Sequence, residues 1–360
     1  MNASKLIVVK IGSNVLTRSD GSPDLDRMAS LVSQIQNLKT KGKKIVLVSS
    51  GAVAFGRQKI SFSKKLNPIL KKQIWAATGQ ISLIHEYQKL FGKHQSYCAQ
   101  ILVTKEDFRD RKHFLNMKGC IEALLDQGII PIINENDTVT VTELMFTDND
   151  ELAGLTAAMI NADTLMLLTN VDGIFTGDPN KPSSELVSTI NSKTSSVKEF
   201  ISASKSSFGR GGMLTKYAMA KKSANLGIQV VIANGKRDGV LGLLEGEDLP
   251  HTWFEPKALK HGVKKWLAHG TAYYKGQVKI NAGAKASLTS SVIRSLLPIG
   301  ILAIEGEFSK GDILLITDEK SEPIGLGRAE YNDKLAKERI GLSQQKALIH
   351  YNYLYLFDHE

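Results

Sequence analysis

Cysteine is nearly absent from this sequence: Cys98 and Cys120 are the only two in 360 residues. Unclustered and without CxxC spacing, they exclude a disulfide framework or a zinc ribbon and read as reduced core thiols. The eight histidines are scattered and supply no catalytic pair. No apolar run approaches the roughly 18 residues that a membrane span requires. Met1-Asn2-Ala3-Ser4-Lys5 leads straight into a strand-like run, with no room for a signal peptide, so a cytoplasmic protein without membrane contact is expected. No internal repeat or low-complexity tract is visible.

Acidic residues are the minority, and the formal net charge is +10. A basic surplus can serve nucleic-acid binding, but its placement argues otherwise. From Gly270 onward about 11 basic residues are balanced by about 11 acidic ones, so the surplus lies upstream. Lys39, Lys41, Lys43, Lys44, Lys64, Lys65, Lys71 and Lys72 carry much of it, at expected helix ends and loops. Lysine near a helix C-terminus meets the macrodipole favourably and keeps the surface solvated.

The length favours two domains. Short apolar runs at 6–9, 45–48, 101–103, 129–133, 165–168 and 230–232 fit strands buried on both faces. Helix-period segments at 26–41, 68–91, 114–127, 149–161 and 213–226 lie between them. This alternation predicts an α/β fold, an open, mostly parallel sheet sandwiched by helices, over 1–250. Residues 107–112 and 193–212 read as polar loops, the second long enough for a lid or a nucleotide-contacting segment. A linker is expected at 251–272. Short alternating runs at 277–280, 287–288, 300–304, 311–316, 323–328 and 353–357 then predict a small β-barrel-like domain over 273–360.

Four strand-like runs end in small, polar or charged residues: Val8-Val9-Lys10-Ile11-Gly12-Ser13, Leu47-Val48-Ser49-Ser50-Gly51-Ala52, Ile132-Ile133-Asn134-Glu135-Asn136-Asp137 and Leu167-Leu168-Thr169-Asn170. In an open parallel sheet such ends converge on one crevice. Lys10 is a point charge suited to phosphate oxygens, and Gly12-Ser13 allow close backbone approach. Ser49 or Ser50 can cap the helix that opens at Gly51-Ala52, where free N–H groups and the dipole favour an anion. Asp137 can hold an ammonium group, and the asparagines a carboxylate or carbonyl. In Asp148-Asn149-Asp150, either Asp148 or Asn149 can cap a helix; the carboxylates are also hard oxygen ligands that hold Mg²⁺ indirectly or position the lysines. Gly209-Arg210-Gly211-Gly212-Met213-Leu214-Thr215-Lys216 is a second glycine-rich turn running into a helix, without Walker A spacing. Two cations, two glycine turns and a polar pocket suit phosphoryl transfer, which rests mostly on positioning and charge stabilisation. A carboxylate acceptor needs no general base, in keeping with the lack of a catalytic histidine.

These segments, in this order and spacing, resemble the amino acid kinase family, and the C-terminal segment is similar to a PUA domain. The resemblance covers the whole chain. It implies ATP with Mg²⁺ as phosphoryl donor and, from Asn-Glu-Asn-Asp joined to Asp-Asn-Asp, L-glutamate as acceptor at the start of proline synthesis. By position, it gives Lys10 and Lys216 as the phosphate-binding lysines and Asp148 as the organising aspartate, with Asp150 beside it. The glutamate pocket falls on Ser50, Gly51, Ala52, Asn134, Asp137 and Asn149. The ATP contacts fall on Lys10, Gly12, Ser13, Thr169, Asn170, Arg210, Gly211, Gly212, Met213, Leu214, Thr215 and Lys216; no metal ligand is assigned directly. Feedback inhibition by proline, a homo-oligomer (dimer or tetramer) and a partnership with the next reductase are further implications. Alternatives are an acetylglutamate or aspartate kinase, or RNA binding through the PUA-like domain, which its balanced charge disfavours. Two departures from the pattern stand out. Thr169-Asn170 replaces a Thr-Asp pair, and Arg210 sits where many relatives have threonine.

Overall fold

The computed structural model describes residues 4–63, 65–139, 146, 148–191, 212–257, 274–290 and 294–357. The chain forms two compact units, Met1–Glu106 with Asn116–Ala258 and Asp107–Leu115 with Leu259–Glu360.

Each of the six strand-like runs of the first unit is a strand: β1 (Leu6–Ile11), β2 (Lys44–Ser49), β3 (Cys98–Val103), β4 (Ile130–Glu135), β5 (Thr164–Thr169) and, after the short β6 (Thr189–Ile190), β7 (Gln229–Asn234). A further strand, β8 (His251–Phe254), pairs antiparallel with β7, so the sheet extends into the segment expected as a linker. The sheet order is β3-β4-β2-β1-β5-β7-β8-β6, and β7–β8 is its antiparallel pair. All six residues of β5 are buried, as continuous apolar strands covered on both faces require. Chain direction across the sheet reverses at β1, which sets Lys10 beside Val48 of β2 and Leu167 of β5. Ligands of open α/β sheets bind beyond such a switch point.

The helices of this part of the chain are α1 (Leu25–Thr40), α2 (Ala52–Lys59), α3 (Pro68–Gly92), α4 (Lys105–Arg109), α5 (Arg111–Asp126), α6 (Asn149–Met159) and α7 (Met213–Asn225). Asp24 caps α1 by accepting from Arg27 N, and the helix buries Met28, Leu31, Val32, Ile35 and Leu38 along one stripe. Residues 107–112 are not the expected loop: α4 and α5 run through them. Asp110 between the two accepts from the N–H groups of Lys112 and His113, the local pattern of a cap. Of the two free thiols expected in the core, half-buried Cys98 packs against it, whereas Cys120 is exposed. Residues 193–211 of the expected loop lie outside the described residues. No helix among the described residues is long and apolar enough to cross a membrane.

The second unit holds β9 (Gly276–Ile280), α8 (Ala282–Thr289), β10 (Ile301–Gly306), β11 (Ile313–Thr317), β12 (Pro323–Ala329), α9 (Asp333–Glu338) and β13 (Ile349–Leu356). Its five-stranded sheet runs β10-β9-β11-β12-β13 around a core that includes Val278, Ile280, Leu314, Ile316 and Leu348. Ser287-Leu288, expected as strand, belongs to α8, because Asn281 accepts from Ala284 N and starts a helix that buries Leu288.

The packing of α2 on α3 positions the second strand's end. Gly56 and Gly79 face the partner backbone so closely that a Cβ at Gly79 would overlap the carbonyl oxygen of Ala52, and one at Gly56 that of Trp75. Gly79→Ala is therefore expected to destabilise the fold by at least ~1–3 kcal/mol. A lowered urea midpoint with unchanged slope would show it.

Candidate active site

β1, α6 and α7 bring three charges together. Lys10 ends β1, Asp150 lies in the first turn of α6, and Lys216 lies in the first turns of α7. Lys10 Nζ is 2.7 Å from Asp150 Oδ1, and Lys216 Nζ donates to Asp150 Oδ2 at 2.6 Å. Asp150 is 0% exposed, Lys10 5% and Lys216 8%, so these charges must satisfy one another rather than rely on water. Burial opposes ionisation of Asp150, yet the two ammonium groups outweigh it and hold the carboxyl below the usual range. Burial also draws the Lys10 ammonium down, with Asp150 opposing that shift. The triad leaves a net positive charge at the strand ends, which suits an anion under transfer.

Asp148 plays a different part. As N-cap of α6, its Oδ1 accepts from the N–H groups of Asp150 and Glu151, and its Oδ2 accepts from Thr215 Oγ1 at 2.9 Å. It thus ties the starts of α6 and α7. Burial, then the Asp150 charge, push its carboxyl above the usual range. The carboxylate that bridges the two lysines is Asp150; Asp148, the organising aspartate of the sequence reading, gives Oδ1 to its own helix and Oδ2 to Thr215.

Between the triad and the cleft mouth runs a chain of amides. Asn149 Nδ2 donates to Ser50 Oγ at 2.7 Å and to Asn134 Oδ1 at 3.1 Å. Asn134 Nδ2 donates to Gln80 Oε1 on α3 at 2.9 Å. Ser50 is so used, and Ser49 bonds Tyr87 Oη at 2.8 Å, so neither serine caps α2. The N-cap is Gly51, at φ +117°, a left-handed conformation that glycine alone adopts without strain. At the mouth, Lys72 Nζ donates to Asp137 Oδ1 at 2.7 Å. Nearby, Glu135 accepts from Phe146 N, and burial raises its carboxyl, with Asp137 adding to the shift.

One cleft of about 640 Å³ gathers most of the expected residues: Lys10, Gly12, Ser13, Ser50, Gly51, Ala52, Asn134, Asp137, Asp148, Asn149, Asp150, Thr169 and Lys216. Gly212, Met213, Leu214 and Thr215 form the start of α7 and are not in the lining, and Asn170 meets Thr169 Oγ1 at 3.4 Å, also outside it. Arg210 and Gly211 lie outside the described residues. The carboxylate missing at position 170 has a neighbour in Asp172, which clasps Arg237 through two 2.6 Å bonds. Sequence reasoning missed Gln80, Lys72 and Arg57, the last two of which line the cleft. All three sit on helices, where nothing in their spacing separates them from ordinary surface residues.

A model of the amino acid kinase family matches residues 5–234. The chain belongs to the amino acid kinase family. A PUA domain model matches residues 276–347, which places the second unit's sheet in that domain type. Among curated members, a glutamate 5-kinase from Bacteroides thetaiotaomicron is 47% identical over 353 residues, 97% of this chain and 98% of that protein. A glutamate 5-kinase from Chlorobaculum tepidum is 46% identical, over 97% of each chain. Among solved structures, a carbamate kinase from Giardia lamblia bound to AMP-PNP shares the fold at 19% identity and a TM-score of 0.51, covering 71% of this chain and all of that one.

The raised carboxyl of Asp148 carries a pH signature. In the window between its unfolded and folded titrations the native state binds the extra proton, so its contribution to stability is lost as pH rises through the folded value. Asp148→Asn keeps a good cap and removes the buried charge. Its melting temperature should match the parent's below that window and equal or exceed it above, as thermal scans across pH would show.

Proposed function

We propose that this chain transfers the γ-phosphoryl group of ATP to the γ-carboxylate of L-glutamate, yielding γ-glutamyl phosphate and ADP at the start of proline synthesis. The observation that carries the reading is the buried Lys10–Asp150–Lys216 triad at the inner end of a cleft whose mouth bears an Asp137 carboxylate. The activity is also that named for curated relatives matching nearly the whole chain.

In this reading a carboxylate oxygen attacks the γ-phosphorus and the bond to the β,γ-bridging oxygen breaks. The acceptor is already ionised, so no proton has to be removed. Lys10 and Lys216 neutralise charge spreading over the transferring oxygens, and Asp150 holds both ammonium groups in place before substrate arrives. Gly12 keeps the approach open: a Cβ there would come within 3.4 Å of Lys10 Nζ and 3.1 Å of Leu168 O. Ser50, Asn134 and Asn149 present amide and hydroxyl groups to the glutamate chain, beside the α2 start at Gly51 and Ala52. Asp137 takes its ammonium. Ser13, Thr169, Asn170 and the segment from Arg210 to Lys216 contact the nucleotide.

Mg²⁺ would arrive on the ATP phosphates. Among the described residues no cluster of three metal-ligating side chains occurs; Asp150 is committed to two lysines and Asp148 to a cap and a threonine. That donor set fits an ion held chiefly by phosphates and water. The same reading includes a cytoplasmic location, in keeping with two free thiols, inhibition by proline, and delivery of the labile acyl phosphate to the next reductase. It also includes a homo-oligomer, dimer or tetramer, supported by the exposed Ile69, Leu70 and Ile81 on α3. The PUA domain has no part as an RNA binder in it.

The test is ADP release from Mg·ATP with glutamate, aspartate and N-acetylglutamate in parallel, with hydroxylamine trapping any acyl phosphate. Glutamate-dependent hydroxamate, depressed by proline, is expected. Hydroxamate formed with another acid alone would reassign the acceptor. Lys10→Ala and Lys216→Ala should each lower kcat by about 10²–10³ while the glutamate KM moves much less; a defect confined to KM would remove their assigned role.

A further inference from the structure

The cleft is charged at both ends, and the two ends differ in kind. The inner triad is buried and committed. At the outer end, Lys72 reaches from α3 to Asp137, and its side chain keeps 38% of its surface exposed while that of Asp137 keeps 14%. An ion pair whose ammonium partner is this exposed has modest net stability, because water and salt compete for the lysine. Lys72 Nζ therefore leaves Asp137 readily when a better partner is offered. Its neighbour Lys71 is tied differently, lying over the rings of Trp75 and Phe62 at 5.0 and 5.6 Å. Arg57, a second cation in the lining, has its guanidinium 4.9 Å above the Trp75 ring.

An α-amino acid bound through its side-chain carboxylate at the triad presents two adjacent charges to the mouth, an ammonium and a carboxylate. The mouth holds the complementary pair already, joined to each other. We propose that Lys72 is the specificity residue for the substrate's α-carboxylate, by an exchange of ion pairs: the substrate ammonium replaces Lys72 on Asp137, and the released Lys72 Nζ takes the α-carboxylate. This rests on the amino acid acceptor proposed above and extends it to a residue on α3. Charge balances on both sides of the exchange, so an acceptor with only one of the two groups leaves either Lys72 or Asp137 unpaired beside it. The mouth then selects zwitterions over simple diacids and over amino acids whose α-carboxylate is blocked.

The test uses the full chain and two acceptors, glutamate and its α-amide, isoglutamine, which keeps the ammonium and the γ-carboxylate. The ratio of their kcat/KM values is measured for the parent, Lys72→Met, Lys72→Arg and Arg57→Met, with melting temperatures to show that each variant is folded. Expected are a strong preference for glutamate in the parent, a preference reduced tenfold or more in Lys72→Met, and its partial recovery in Lys72→Arg. An undiminished preference in Lys72→Met, or a loss confined to Arg57→Met, would overturn the proposal. Absence of glutamate turnover in the parent is a separate outcome: it would remove the proposed acceptor itself, and the exchange with it.

Discussion

The carboxylate of Asp150, shared between Lys10 and Lys216, is the constraint on which the rest of the first unit depends. Removing a buried charge's partner is strongly destabilising, on the order of 3–5 kcal/mol, so the three side chains must arrive together. They come from β1, α6 and α7, elements far apart in the chain. The β1 register beside β2 and β5 fixes Lys10, the Asp148 cap fixes the rotation of α6, and the Thr215 hydroxyl on Asp148 fixes the start of α7. Satisfying one ion cluster thus pins three independent helix and strand ends at the sheet's switch point. The same cluster carries a surplus positive charge toward the cleft, and an electrostatic site built this way needs no reorganisation when a phosphoryl group arrives.

Much of this was legible from pattern. The strands of the first unit's sheet core announce themselves as short apolar runs that stop abruptly in Lys, Ser, Asn or Asp, because a strand buried on both faces must be apolar until it leaves the sheet. The glycine turns and the Asp148–Asp150 cluster were visible for the same reason. Less legible was which carboxylate does what. Asp148 and Asp150 are two residues apart and chemically alike; only the helix start between them decides that one caps and the other turns inward.

Helical surroundings hid the remaining residues. Gln80 is buried against Asn134, yet in sequence it is one polar residue in a 25-residue helix. Lys72 sat among lysines that read as solvent-facing, and for Lys41 and Lys44 that reading agrees with half-exposed surface ion pairs. Residues 111–112 and 287–288 fall in helices that Asp110 and Asn281 start as caps, and a cap converts a polar stretch into helix without changing its composition. β8 escapes recognition because a strand of four residues lies at the lower limit of length at which alternation can be recognised.

The amide chain lines the same cleft as the two charged ends and presents groups of defined polarity. Asn149 spends both Nδ2 hydrogens, on Ser50 and on Asn134, so its Oδ1 remains an acceptor. Asn134 accepts from Asn149 and donates to Gln80, so its second Nδ2 hydrogen remains a donor. Ser50 accepts from Asn149, which leaves its hydroxyl hydrogen to donate. Each link fixes the orientation of the next, and the chain ends on Gln80 Oε1, outside the cleft lining. The inner end can then be rigid because its charges are internally paired, and the outer end exchangeable because its lysine is partly in water. In the proposed function, an acceptor held between a fixed cationic end and an exchangeable mouth lies with its side-chain carboxylate toward Lys10 and Lys216.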